Sequence, residues 1–179
     1  MPQRASTFAP FQHSNFRTLW TATLVSNLGG LIQGVGAGWM MTTISDSPIM
    51  VALVQGATTL PIMLFSLASG ALADNFDRRR IMLSAQIMLM LVSIALAAFA
   101  FMGWITPWLL LSFTFLLGCG TALHNPPWQA SMGDIVPRAD LPAAVTLNSM
   151  GFNLMRSVVP AVGGLIVATA GVATAFLVN

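Results

Sequence analysis

Three stretches without a charged side chain, residues 18–45, 47–73 and 81–133, constrain this chain more than anything else in it. They are 28, 27 and 53 residues long. A helix needs about 20 apolar residues to cross the hydrocarbon core of a bilayer, so the first two hold one span each and the third holds two. Gly103-Trp104-Ile105-Thr106-Pro107 supplies a turn inside the third. A further stretch from Leu141 to Ala170 is broken only by Arg156, and after Gly171 the chain turns into the start of another span. The expected spans are about 18–44, 48–73, 80–103, 106–126 and 141–170, preceded by a polar segment, residues 1–17. The fold class this implies is an all-α polytopic membrane protein with five spans plus the start of a sixth, truncated at Asn179.

Composition agrees. Only 7% of residues are charged and 56% are hydrophobic, whereas soluble domains carry about 25% charged residues. All seven basic residues are Arg and all five acids are Asp. A nucleic-acid binder needs a basic face or stripe. The single basic run, Arg78-Arg79-Arg80, reads instead as a topology signal, so no nucleic-acid partner is expected. Cys119 is the only cysteine, which excludes an internal disulfide. The first 17 residues are polar, and the apolar stretch after them is too long for a signal peptide, so the first span is expected to persist in the mature protein.

Orientation follows from arginine. Arg4 and Arg17 precede the first span, Arg78 to Arg80 follow the second and Arg138 follows the fourth. The opposite loops, near Asp46, Gly103 and Gly171, carry no basic residue. The positive-inside rule then puts the N-terminus in the cytoplasm. Ser47-Pro48 and Thr106-Pro107 place a capping hydroxyl before a first-turn proline, and Asp77 and Asp140 are placed to cap the third and fifth spans. Trp20, Trp39, Trp104, Trp108 and Trp128 fall near expected span ends, as interfacial anchors do.

Few residues can do chemistry within the spans. Arg156 lies 15 residues after Leu141, with 14 remaining before Ala170, so about 22 Å and 21 Å of helix flank it. A mid-membrane charge costs about 2.5–3.5 kcal/mol on insertion scales and is kept facing the interior or a water-filled cavity. Arg156 is therefore a candidate for contacting an anionic substrate group or switching an ion pair. The bland alternative is a structural Arg bonded to Asn27, Gln33 or helix carbonyls. Gly30, Gly34 and Gly38 recur every four residues and make one face of the first span smooth enough for close packing. Asn27 and Gln33 on that span can line a cavity or bond between helices, and Gln86 is readily satisfied by a neighbour. His124, beside Pro126-Pro127, titrates near neutral pH in its unperturbed form and is a coupling candidate, or an interfacial histidine. No metal site, cofactor or catalytic constellation is expected, and no Gly-x4-Gly-Lys loop for ATP occurs.

The segment Gly70-Ala71-Leu72-Ala73-Asp74-Asn75-Phe76-Asp77-Arg78-Arg79 resembles the loop between the second and third spans of major facilitator superfamily transporters. Their signature reads Gly-x-Leu-Ala-Asp-basic-x-Gly-Arg-basic. Gly70, Leu72, Ala73, Asp74, Arg78 and Arg79 match, while Asn75 and Asp77 depart from it. Gly70 would let backbones approach, Asp74 would cap or pair at the membrane border, and the resemblance implies that the loop is a conformational latch. In the fifth span Pro160, Gly163 and Gly164 resemble the Gly-Pro-x-x-Gly-Gly element of the superfamily's antiporters, with Val159 where that element has Gly. Phe16-Arg17-x-Leu19-Trp20, Pro127-Trp128-Gln129 and Asn148 to Arg156 resemble the enterobactin exporter-like, transmembrane secretion effector branch. An Arg used by many members in the fourth span is absent from residues 105–125, where His124 and Asn125 are the polar candidates for that role.

The resemblance implies a major facilitator-type helical bundle in the bacterial cytoplasmic membrane. It implies proton-coupled export of a small organic molecule such as a drug or siderophore, with a carboxy-terminal half that this chain lacks. The chain then reads as a truncated amino-terminal half. Two alternatives stand beside it: a non-transporting membrane subunit or fragment, and a membrane enzyme using Asp74 and Asp77, or Asp134 and Asp140, to hold magnesium diphosphate.

Overall fold

The computed structural model describes residues 7–177, without the side chains of Ala73 and Asp74. Arg4 lies outside the described residues. A 3-10 turn at Ala9–Gln12 leads into α1 (Ser14–Ile44), α2 (Pro48–Asn75), α3 (Arg78–Phe101), α4 (Pro107–Ile135), α5 (Leu141–Ala170) and the short α6 (Val172–Leu177). The described residues form no strand. Four of these helices, α2 to α5, are long and apolar enough to cross a bilayer. At 31 residues α1 matches them in length, but its glycines, hydroxyls and three amides leave it less apolar, and it is not among the four.

The helix ends follow local chemistry. Thr106 accepts a hydrogen bond from the Leu109 N–H and Asp77 from the Arg79 N–H, so both cap as expected. Ser47 and Asp140 make no side-chain cap. Asp140 is instead drawn across to His13, 3.1 Å away. Gly103 (φ 71°) ends the turn after α3, and Gly171 (φ 85°) separates α5 from α6; both occupy the left-handed region where only glycine is unstrained. α4 continues through Pro126 and Pro127 to Ile135, well past the span end expected at 126. Within a bundle, neighbouring groups compensate the two missing N–H donors.

Polar pairs set the register between helices. Gln33 bonds Ser93 and Gln86 bonds Ser26, both pairs 60 residues apart, so α1 and α3 run parallel. Close approach occurs at single glycines. A Cβ on Gly118 of α4 would sit 2.5 Å from the Thr58 carbonyl oxygen and from Pro61 Cγ of α2. Gly120 lies against Leu89 of α3, Gly151 against Leu24 of α1, and Gly36 against Ala175 and Phe176 of α6. The Gly30, Gly34 and Gly38 stripe behaves otherwise: a Cβ on any of them meets nothing within 4 Å. The expected close packing on that face is absent among the described residues; α1 packs through other positions, Gly36 on α6 and Val35 on Gly163 of α5.

Burial concentrates in three clusters. The largest joins Met41, Leu96, Leu110 and Phe176 at the end carrying Asp46. A second joins Phe16, Val136, Ala144 and Leu147 at the arginine end, and a third links α1, α5 and α6 through Ile32, Val159 and Ala175. The outer faces are apolar, with Ile49, Met63 and Leu67 of α2 largely exposed. That inversion of the soluble pattern is what a lipid solvent permits. The architecture is a major facilitator-like helical bundle.

Candidate functional site

The starts of α1, α3 and α5 and the ends of α2 and α4 lie at one end of the bundle. Arg17, Arg78, Arg79, Arg80 and Arg138 all fall there. Asp77 ties the α2–α3 loop down by capping α3, and its carboxylate lies 3.8 Å from Arg80 Nε. Arg78 reaches across to α4, where its guanidinium donates to Asp134 at 2.8 Å and to the Ala130 carbonyl at 3.2 Å. The segment before α1 folds back over the same end. Phe11 stacks edge-on with Phe16 and Trp20, and His13 meets Asp140. Asp77, Asp134 and Asp140, which the magnesium-diphosphate alternative would use, are thus engaged in caps and ion pairs. The side chain of Asp74 lies outside the described residues.

A cavity of about 560 Å³ opens at this end between α1, α3 and α4. It brings together Arg78, Arg79 and His124, which the sequence singles out separately, with Gln86, Trp128 and Asp134. His124 is half-buried. Trp128 is only 5% exposed, and its indole nitrogen has no hydrogen-bond partner in the structure. That corrects the expectation of five interfacial tryptophans. Trp39, Trp104 and Trp108 are exposed at the opposite end, whereas Trp128 is buried beside the cavity.

The other candidates are spread out. Gln33 is buried and exchanges hydrogen bonds with Ser93 (3.1 and 3.3 Å), so its amide is used between helices. Asn27 is half-buried on α1, away from the cavity. Arg156 is exposed at the middle of α5 and forms no ion pair among the described residues. Ser149, Asn153 and Ser157, also exposed, accompany it on the helix, and each of the latter two bonds a carbonyl one turn back. In the fifth-span element, Gly163 packs on Val35 of α1, where a Cβ would lie 3.2 Å away, while Gly164 faces open space and Pro160 is exposed. Gly70 also faces open space, so the close approach expected there is not made within the described residues; Leu72 is exposed beside it.

Sequence reasoning missed Trp128 as a lining residue and Asp134 as the partner of Arg78. The signal for Asp134 was present, since it is an acid at the end of a span on the arginine side.

A second, apolar hollow of about 600 Å³ lies between α2 and α4, lined by Leu53, Leu60, Trp108 and Phe115 among others.

Comparison with known proteins matches the sequence to transporters. The chain is 28% identical over 151 residues to the staphyloferrin A transporter of Staphylococcus aureus, covering 84% of this chain and 38% of that protein. It is 26% identical to macrolide efflux protein A of Streptococcus pyogenes over 84% of this chain and 37% of that protein. It is 27% identical to the multidrug efflux pump Tap of Mycobacterium tuberculosis, with 84% and 37% covered. The chain therefore spans less than two fifths of the length of these curated relatives. No solved structure matches it. The family model described as transmembrane secretion effector matches residues 5–179, and this multi-pass membrane protein belongs to that family of major facilitator transporters.

Proposed function

We propose that the chain forms the amino-terminal half of a secondary transporter that exports a small organic molecule across the bacterial cytoplasmic membrane, coupled to proton entry. The observation that carries this is Arg156. It is an exposed arginine at the midpoint of an apolar helix, unpaired among the described residues, and a charge there is tolerated when it lines an aqueous path. Transporters of this kind bind substrate near the bilayer midplane between two halves. Arg156, with Asn153 and Ser157 beside it, would face the half not present here and contact an anionic or strongly polar group of the substrate. The efflux-type relatives support the direction of transport. The arginine-rich end would be cytoplasmic, by the positive-inside rule, with 18–44 as a further span despite its glycines. The loop containing Gly70, Leu72, Asp74, Arg78 and Arg79 would act as the latch, and the Arg78–Asp134 pair is the contact it would break. His124, in the cavity at that end, is the titratable candidate for coupling.

The test is Arg156→Ala and Arg156→Lys in the complete transporter, assayed in everted vesicles energised by a pH gradient. Arg156→Ala should abolish efflux at unchanged protein level, and Arg156→Lys should retain part of it. Wild-type efflux by Arg156→Ala, or efflux indifferent to a protonophore, would remove the substrate role or the coupling respectively.

A further inference from the structure

The cavity at the arginine end holds more donors than the helices use. Its floor lies at Gln86, seven residues beyond Arg79, about 10 Å deeper along α3. Asp134 neutralises Arg78 at 2.8 Å, leaving Arg79 as the net cation of the lining. Arg79 is exposed and forms no ion pair among the described residues. Trp128 adds a buried indole N–H without an acceptor, and an unsatisfied buried donor is costly. The rim is different in kind. Leu19 of α1 is 41% exposed and Leu83 of α3 is 58% exposed, so the mouth is bordered by side chains suited to hydrocarbon rather than water.

A recess with a net positive charge, a spare buried donor and an apolar rim matches one occupant class. We infer that an acidic phospholipid, from the leaflet on the arginine side, seats its phosphate in this cavity. Arg79 is its counter-ion, the Trp128 indole N–H donates to a phosphate oxygen, and an acyl chain lies across Leu19 and Leu83. A water-soluble anion would use the donors but gain nothing from the rim. Basic pockets between spans at the cytoplasmic level recognise anionic headgroups on the same physical grounds. This site is separate from Arg156, and its occupancy can be read without any transport assay.

The experiment is native mass spectrometry of the protein released from nanodiscs made of equal phosphatidylglycerol and phosphatidylcholine. Wild type should retain phosphatidylglycerol over phosphatidylcholine by about fivefold, the contribution of one basic residue near an anionic surface. Arg79→Gln should bring the ratio to parity and Trp128→Phe should lower it. Arg138→Gln, at the same end but outside the lining, should leave it unchanged. Parity in wild type overturns the inference, as does an equal loss in Arg138→Gln, which would mean diffuse surface charge. Displacement of the lipid by glycerol phosphate alone also overturns it, because a free anion would then be the occupant. If Arg79→Gln loses helical content by circular dichroism, the Trp128→Phe ratio decides.

Discussion

Arg78 in the first turn of α3 and Asp134 in the last turn of α4 close on each other at 2.8 Å across 56 residues of sequence. Their side chains are 35% and 73% exposed, so water screens the pair. Replacing Asp134 with Ala should therefore cost only about 0.2–1 kcal/mol of stability. If the pair is the latch, the conformational equilibrium should move far more than the stability does. The reversed pair, Arg78→Asp with Asp134→Arg, should recover what either single change loses. Cross-linking across the mouth of the cavity reads the equilibrium, and thermal unfolding in detergent reads the stability. Failure of the reversed pair to recover would show that the charges act independently.

Glycine substitutions should separate contact from propensity. At Gly118 a methyl group would collide with the Thr58 carbonyl and Pro61, and backbone cannot move aside cheaply. Gly118→Ala should destabilise by about 1–3 kcal/mol, although Ala favours helix by about 1 kcal/mol. Gly34→Ala, with nothing within 4 Å, should be neutral or mildly stabilising for this chain. Equal unfolding midpoints for the two variants would mean that α2 and α4 do not approach as described.

The Gln33–Ser93 pair predicts a coupled loss. Hydrogen bonds between membrane helices contribute on average about 0.6 kcal/mol, with a maximum near 1.7. Gln33→Leu and Ser93→Ala should each cost in that range, and together less than their sum, because the bond they share is lost only once. Strict additivity in a double-mutant cycle would place the two side chains apart.

Orientation has a direct measurement. In a Cys119→Ala background, cysteines introduced at Arg80 and Asp46 should react with an impermeant maleimide from opposite faces of the membrane, with Arg80 reached only after the cells are opened. Labelling of both from outside would break the alternating path of the helices.

Charge segregation carried the helical architecture because a bilayer makes charge expensive along a span, so every charged residue except Arg156 lies at or outside a span end. Thr106 and Asp77 were readable as caps because capping is local. Asp140 was misread for the same reason. Its competing partner, His13, lies 127 residues away, and no local rule can weigh it. The glycine stripe on α1 shows the limit of periodicity: it marks a face without naming what covers it. Arg78, Arg79 and His124 were each visible, yet only the packing of α3 on α4, with α1 beside them, puts them around one cavity. Trp128 was placed at a span end because the fourth span was expected to stop at 126, although α4 runs on to Ile135.

That proline pair leaves α4 with two rungs missing from its ladder, since Pro126 and Pro127 offer no N–H to the carbonyls of Ala122 and Leu123. Everything beyond the gap, including Trp128 and Asp134, hangs from a stem that flexes more easily than the helix above it. A swing at that joint would tug on the Arg78 tether and change the width of the recess, while the part of α4 packed on Thr58 and Pro61 would stay in place.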